Sequence, residues 1–215
     1  RYGNLYSVYA RSVRMACHIK DVPYTIEEID PFCPEGAELI RQFHPFERVP
    51  VLRVGGFTIY ETQAILDYLD ATCDGVTLIP DDPKSAARMR QVMGIADSYF
   101  YWPLVRQAAV QAVFNPILGE PVIAEDLDAG LDRAPRGLEA LDSVAHDGYA
   151  LVPGQVTMAD CQLWPMMDYA LKVPDVAGMV HARKRLAAWA EAMGDHPAAV
   201  ATAPDLDALR GAANA

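Results

Sequence analysis

An acid and a hydroxyl, Glu61 and Thr62, stand where a β-rich run gives way to an apolar helical pattern. A helix start offers free backbone N–H groups and a positive dipole end, so such a place suits an anion. Just upstream, Val49-Pro50 leads into the strand-like run Val51-Leu52-Arg53-Val54, and Gly55-Gly56 joins it to Phe57-Thr58-Ile59-Tyr60. Two glycines between β-rich runs are a hairpin signal. Proline is tolerated where it opens a strand, because its missing N–H is not needed there. An X-Pro bond beside a helix start makes a cradle for a small ligand with a peptide backbone.

The elements that must hold this cradle can be read on either side of it. Tyr2–Tyr6 reads as a first strand and Ala10–Lys20, with Val13, Met15, Ala16 and Ile19, as a helix. Pro23–Ile29 reads as a second strand, Pro34–Phe43 as a short helix, and Thr62–Ala71 as the helix after the hairpin. One βαβ unit pairs strands in parallel and a hairpin adds antiparallel ones, so a mixed sheet is expected. Leu78-Ile79-Pro80-Asp81-Asp82-Pro83 is linker-like. Beyond it the strand signals fade. Helical periodicity runs over Lys84–Val113, Glu125–His146, Thr157–Leu171 and His181–Met193, and the tail after Pro204 reads as frayed. Thr157-Met158-Ala159-Asp160 has the spacing of a capping box, with Asp in the usual place of Glu. Thr157 and Asp160 are therefore read as a structural cap.

Composition narrows the classes. The chain has 215 residues, 52% of them hydrophobic, and a formal net charge of -11. That charge speaks against nucleic acid and anionic membrane surfaces as partners. No apolar run approaches the ~20 residues of a membrane span, and no signal-peptide pattern is visible. Cys17, Cys33, Cys73 and Cys161 form no C-x-x-C pair, so neither a zinc ribbon nor a dithiol motif is supported and no metal is expected. Unpaired cysteines on apolar helical stretches fit a reducing, cytoplasmic setting.

Three motifs in order, Val49-Pro50-Val51-Leu52, Tyr60-Glu61-Thr62-Gln63-Ala64-Ile65 and Thr157-Met158-Ala159-Asp160, resemble those of a cytosolic, bacterial-type glutathione transferase. The resemblance covers nearly the whole chain. It implies an α/β thioredoxin-like N-terminal domain with a mixed four-stranded sheet over 1–76, binding glutathione as co-substrate. A linker over 77–83 and an all-α helical-bundle domain over 84–215 would follow, in a homodimer devoted to detoxification. Pro50 would be the family's cis-proline, leaving the backbone of Val49 to pair with the cysteinyl backbone of glutathione. Glu61 and Thr62 would hold the γ-glutamyl end, the carboxylate taking its ammonium and the hydroxyl and helix-start amides its carboxylate. Arg48 would meet the glycyl carboxylate. Read without the resemblance, Glu61 and Thr62 are equally helix caps and Arg48 a solvated charge.

The loop Leu5-Tyr6-Ser7-Val8-Tyr9-Ala10-Arg11 resembles the family's serine-type active-site loop, with a serine four residues before an arginine. Ser7 would donate a hydrogen bond to the glutathione sulfur and favour its thiolate. Val8 stands where proline is common, and Glu47 where glycine is frequent. Tyr6 and Tyr9 flank the serine and are the alternative donors. For a small apolar electrophile, the aromatic run Tyr99-Phe100-Tyr101-Trp102 offers rings in several directions. Tyr9, Tyr99, Trp102 and Trp164 are the candidates for that pocket, with Phe114 as a further one; for any of these rings core packing is the competing role.

Overall fold

The computed structural model describes residues 2–148 and 150–213. The chain begins with strand β1 (Tyr2–Gly3), helix α1 (Val8–Ile19), strand β2 (Glu27–Glu28) and helix α2 (Pro34–Arg41). The hairpin β3 (Val51–Val54) and β4 (Phe57–Tyr60) follows, then helix α3 (Thr62–Thr72). The sheet order is β2-β1-β3-β4, with β1 parallel to β2 and antiparallel to β3. The hairpin register pairs Val51 with Tyr60 and Val54 with Phe57. Gly55 at its tip takes a φ of 57°, a region glycine enters without steric cost.

The first two strands are shorter than expected. The Asn4 side chain accepts the Tyr6 N–H at 2.9 Å and its carbonyl accepts the Ser7 N–H at 3.0 Å. This turn ends β1 early and delivers Ser7 to the first turn of α1. One face of the sheet packs Leu52 against Val13 and Cys17 of α1 and Ile65 and Leu69 of α3; the other packs Val51 and Val49 against Ile40 of α2. Ile29 joins them there. The sheet is thus a middle layer between helices.

After α3 the chain is helical. Helix α4 (Pro83–Ile95) continues into a π-helical stretch, Ala96–Phe114, and the short α5 (Asn115–Leu118). In the stretch Ala96–Phe114 the backbone bonds close over five residues, as from the Asn115 N–H to the Val110 carbonyl. Then come α6 (Ala124–Val144), α7 (Met158–Ala170), α8 (Pro174–His181), α9 (Lys184–Gly194), α10 (Pro197–Ala201) and α11 (Leu206–Ala213). The segment read as a frayed tail therefore includes a helix. Among the described residues no helix is long and apolar enough to cross a membrane.

The capping box at α7 is a buried polar centre. Asp160 is fully buried, and its Oδ2 accepts the Thr157 N–H at 2.7 Å and the Thr157 hydroxyl at 2.8 Å. Its Oδ1 accepts the Leu151 N–H and the Trp189 Nε1–H, both at 2.9 Å. Thr157 and Asp160 thus tie α7 to α9 and to the loop before α7. Arg11, 2% exposed, ties α1 to the helical layer by pairing with Asp168 and donating to the Ala199 carbonyl at 3.1 Å. Lys20 and Asp70 form a second buried pair at 3.1 Å, and Asp70 also accepts the Leu78 N–H at 2.7 Å. These contacts fix the sheet layer, and with it the start of α1, against the helices.

Candidate active site

A cleft of about 1000 Å³ lies where the starts of α1 and α3 face the long helix. Ser7, Arg48, Val49, Pro50, Glu61 and Thr62 all line it, as do Tyr6 and Tyr9. Residues far apart in sequence thus meet around one space.

Ser7 is the N-cap of α1, with its Oγ accepting the Ala10 N–H at 3.3 Å. The first intrahelical bond runs from the Arg11 N–H to the Ser7 carbonyl, so the amides of Val8 and Tyr9 lie ahead of the helical ladder. The Ser7 hydroxyl proton has no acceptor among the described residues, and it sits at the positive end of a helix dipole. The neighbouring phenols are committed elsewhere. Tyr9 donates to Asp97 Oδ1 at 3.0 Å, and burial, reinforced by Asp97, pushes its pKa far up. Tyr6 donates to the Asp205 carbonyl at 3.2 Å; burial raises its pKa, with Glu28 and Asp205 adding to the effect.

The peptide bond between Val49 and Pro50 is cis. Val49 precedes β3, and its N–H and C=O have no hydrogen-bond partner among the described residues. Glu61 occupies the position just before α3 with φ 70° and ψ 119°, a conformation unusual for a residue with a side chain. Such strain is retained where the surroundings over-determine it, commonly at ligand sites. The Glu61 carboxylate makes no capping bond, which removes simple capping as its role, and the amides of the first turn of α3 open beside it. Glu47 also takes a left-handed φ, 54°. This explains why glycine suits that position, and the loop keeps its shape here with Glu47 held by Arg41 at 2.7 Å.

The aromatic expectations divide. Tyr101 and Phe114 line the cleft, but Tyr99, Trp102 and Trp164 do not. Tyr101, Val105, Val110 and Phe114 recur at intervals of four and five residues, matching the wide turns of the Ala96–Phe114 stretch. Tyr99 and Trp102 fall off that stripe and are 66% and 56% exposed. Trp164 is 5% exposed and packs edge-on against Trp189 in the helical core, with ring centres 6.1 Å apart. Tyr9, the remaining pocket candidate, stacks at a tilt on Tyr101 at 4.9 Å. Tyr169 completes the aromatic end, contacting Phe114 at 4.8 Å and donating to the Tyr6 carbonyl at 2.9 Å.

Two acidic or basic residues of the cleft, Asp97 and Arg106, carry no role in the reading of the sequence. Asp97 accepts from Tyr9, from Gln63 Nε2 at 2.8 Å and from Gln162 Nε2 at 2.8 Å. It thereby joins α1, α3 and α7. Burial raises its pKa even though these three donors pull the other way. Arg106, on the same long helical stretch, also lines the cleft. Both carried a signal, since each is a charge within an otherwise apolar and aromatic helical run.

Family models match the chain in two parts: "Glutathione S-transferase, N-terminal domain" over residues 6–72 and "Glutathione S-transferase, C-terminal domain" over 124–192. A probable maleylacetoacetate isomerase 2 of Drosophila melanogaster is 30% identical over 174 residues, covering 76% of this chain and 72% of that protein. Glutathione S-transferase F12 of Arabidopsis thaliana is 27% identical over 204 residues, covering 91% and 92%. The solved structure of a glutathione S-transferase III in apo form superposes with a TM-score of 0.81 at 26% identity, covering 94% of this chain and 93% of that one. With a thioredoxin-like layer, a helical layer and a cleft between them, the chain belongs to the glutathione S-transferase family.

Proposed function

We propose that this protein binds glutathione in the cleft, lowers the pKa of its thiol through Ser7 and the start of α1, and directs the thiolate onto a small electrophile. One observation carries the reading: Ser7, whose hydroxyl proton has no acceptor among the described residues, lines the same cleft as Glu61, Thr62 and Val49, whose backbone has no hydrogen-bond partner among them. Val49 would pair with the cysteinyl backbone. Glu61 would take the γ-glutamyl ammonium, Thr62 and the α3 amides its carboxylate, and Arg48 the glycyl carboxylate. That arrangement sets the sulfur near Ser7. The commitment of Tyr6 and Tyr9 to other acceptors favours Ser7 over either phenol.

In the transfer reaction the thiol proton passes to solvent. The sulfur lone pair forms a C–S bond, and the leaving group departs with the electron pair of the bond that breaks. The thiolate is favoured by a hydroxyl donor and by a helix dipole, while holding both reactants in one cleft lowers the entropic part of the barrier. Tyr9, Tyr101 and Phe114 would receive the electrophile. A second reading is glutathione-dependent isomerisation, favoured by the similarity to a protein named as a maleylacetoacetate isomerase. There the thiolate adds to a carbon–carbon double bond, the single bond formed rotates, and the sulfur is expelled. We further assign the active form to a cytoplasmic homodimer; the exposed Tyr99 and Trp102, which face away from the cleft, offer apolar surface to a second copy.

Calorimetry with millimolar glutathione tests the reading, with binding expected and absence of binding refuting it. A panel of aryl halides and of activated cis double bonds then separates the two reactions. Release of a leaving group supports transfer, and conversion to the trans isomer without net loss of glutathione supports isomerisation.

A further inference from the structure

The glutathione reading gives Arg48 the glycyl carboxylate and leaves one cleft cation without a task. Arg106 lies on the stripe of the long helix that carries Tyr101, Val105, Val110 and Phe114, the wall that receives the electrophile. It is the sole charged residue between Ser98 and Phe114. Among the described residues its guanidinium has no hydrogen bond and no ion pair; it lies over the Phe32 ring, with the guanidinium carbon 5.8 Å from the ring centre. The Tyr101 phenol, five positions earlier on the same stripe, likewise has no hydrogen-bond partner among the described residues. Arg106, and to a smaller extent Arg48, act electrostatically on that phenol, working against the upward push of burial. Other polar groups nearby are already used. Asn115 donates to Gln111 and to the Pro121 carbonyl, both at 3.0 Å, and Arg11 is buried in its pair with Asp168.

A planar fork of N–H donors beside a free phenol, set in an aromatic wall, matches a carboxylate. Apolar pockets commonly orient a ligand through a few such polar groups. We propose that Arg106 is the specificity residue for the second substrate and that this substrate is a carboxylate-bearing electrophile, its carboxylate held by Arg106 and the Tyr101 hydroxyl. The expectation of a wholly apolar electrophile is thereby narrowed to an apolar or unsaturated body with one anionic end. The turnover part of this inference rests on the glutathione reading; the carboxylate site does not.

The test uses a matched pair, 4-chloro-3-nitrobenzoate and its methyl ester, each rate divided by its uncatalysed rate with glutathione. In both the sulfur bonds to the chlorine-bearing carbon, chloride leaves with its electron pair and the thiol proton goes to solvent. The wild type is expected to favour the acid. Arg106→Leu should lower kcat/KM for the acid by on the order of tenfold to a hundredfold, in line with loss of a charge-assisted pair. The ester should change by less than about threefold, within the scatter of near-neutral contacts. Arg106→Lys should keep part of the preference, and Tyr101→Phe should weaken it less than Arg106→Leu does. An equal fall for acid and ester, or an acid rate untouched by Arg106→Leu, overturns the proposal. Calorimetry with 3-nitrobenzoate on the glutathione-free protein gives an independent arm. Binding that Arg106→Leu weakens supports the site even if glutathione fails to bind, which would refute the earlier reading alone. Absence of 3-nitrobenzoate binding to the wild type, or equal binding to the variant, overturns the proposal.

Discussion

Replacing Asp160 by alanine removes the acceptor of a four-donor centre while leaving the donors in place. Three of these are N–H groups that cannot turn away: Leu151 and Thr157 in the backbone and Nε1 of Trp189. Stranding a buried donor costs about 1–3 kcal/mol each, so the three together would cost roughly 3–9 kcal/mol. Entry of water into the space left by the carboxylate recovers part of this, and we expect a net loss of about 4 kcal/mol. At a urea slope of about 2 kcal/mol/M, the unfolding midpoint falls by about 2 M. Asp160→Asn should cost about half as much, because its carbonyl keeps two of the donors and its amide can donate to the Thr157 hydroxyl. Unfolding would be followed by tryptophan fluorescence at fixed protein concentration, with Trp189 reporting the centre directly. A midpoint shift below about 0.5 M for the alanine variant would refute the assignment of Asp160 as the polar keystone of α7. An asparagine variant as unstable as the alanine one would refute the donor bookkeeping.

Two further outcomes are expected. Burial pushes the Asp168 carboxyl up, but Arg11 and Lys172 outweigh it and hold its pKa below the ordinary carboxylate value. The stability it contributes is therefore fully present above the unfolded carboxylate pKa and is lost as pH falls through the lower folded value. Asp168→Asn should be less stable than the wild type by about 3 kcal/mol near neutrality, and the gap should close as urea titrations move to pH 3 and below; a gap independent of pH would contradict the pairing. For Glu61, whose φ is 70°, Glu61→Gly should relieve backbone strain and exceed Glu61→Ala in stability by about 1 kcal/mol. Both variants should lose at least about tenfold in glutathione affinity; unchanged affinity in calorimetry would remove Glu61 from the ligand site.

What could be read directly from the sequence was what short-range chemistry decides. The hairpin with its glycine tip, the start of α3 at Thr62 and the box at Thr157 and Asp160 each depend on neighbours a few residues away. Their order then pointed to the cleft. The side of the long helix that meets the cleft was not legible, because the backbone there closes over five residues and shifts the stripe to Tyr101, Arg106 and Phe114. An ordinary helical reading leaves Tyr99 and Trp102 as equal candidates. Asp97 was missed because its partners, Tyr9, Gln63 and Gln162, come from three separate helices. Trp164 was misplaced because an aromatic on an apolar helix carries the same local signal whether it faces a core or a cleft. The short β1 turned on a single side chain, Asn4, whose turn outcompeted the strand pairing.

The central claim is that Ser7, and neither flanking phenol, activates the thiol. Thiolate absorbance of bound glutathione, titrated against pH, tests it in the wild type, Ser7→Ala and Tyr9→Phe. We predict that the thiol pKa in the complex rises by about 1–2 units in Ser7→Ala, equivalent to about 1.4–2.7 kcal/mol of lost preference for the thiolate. Tyr9→Phe should leave it unchanged. A rise in Tyr9→Phe with none in Ser7→Ala would contradict the account.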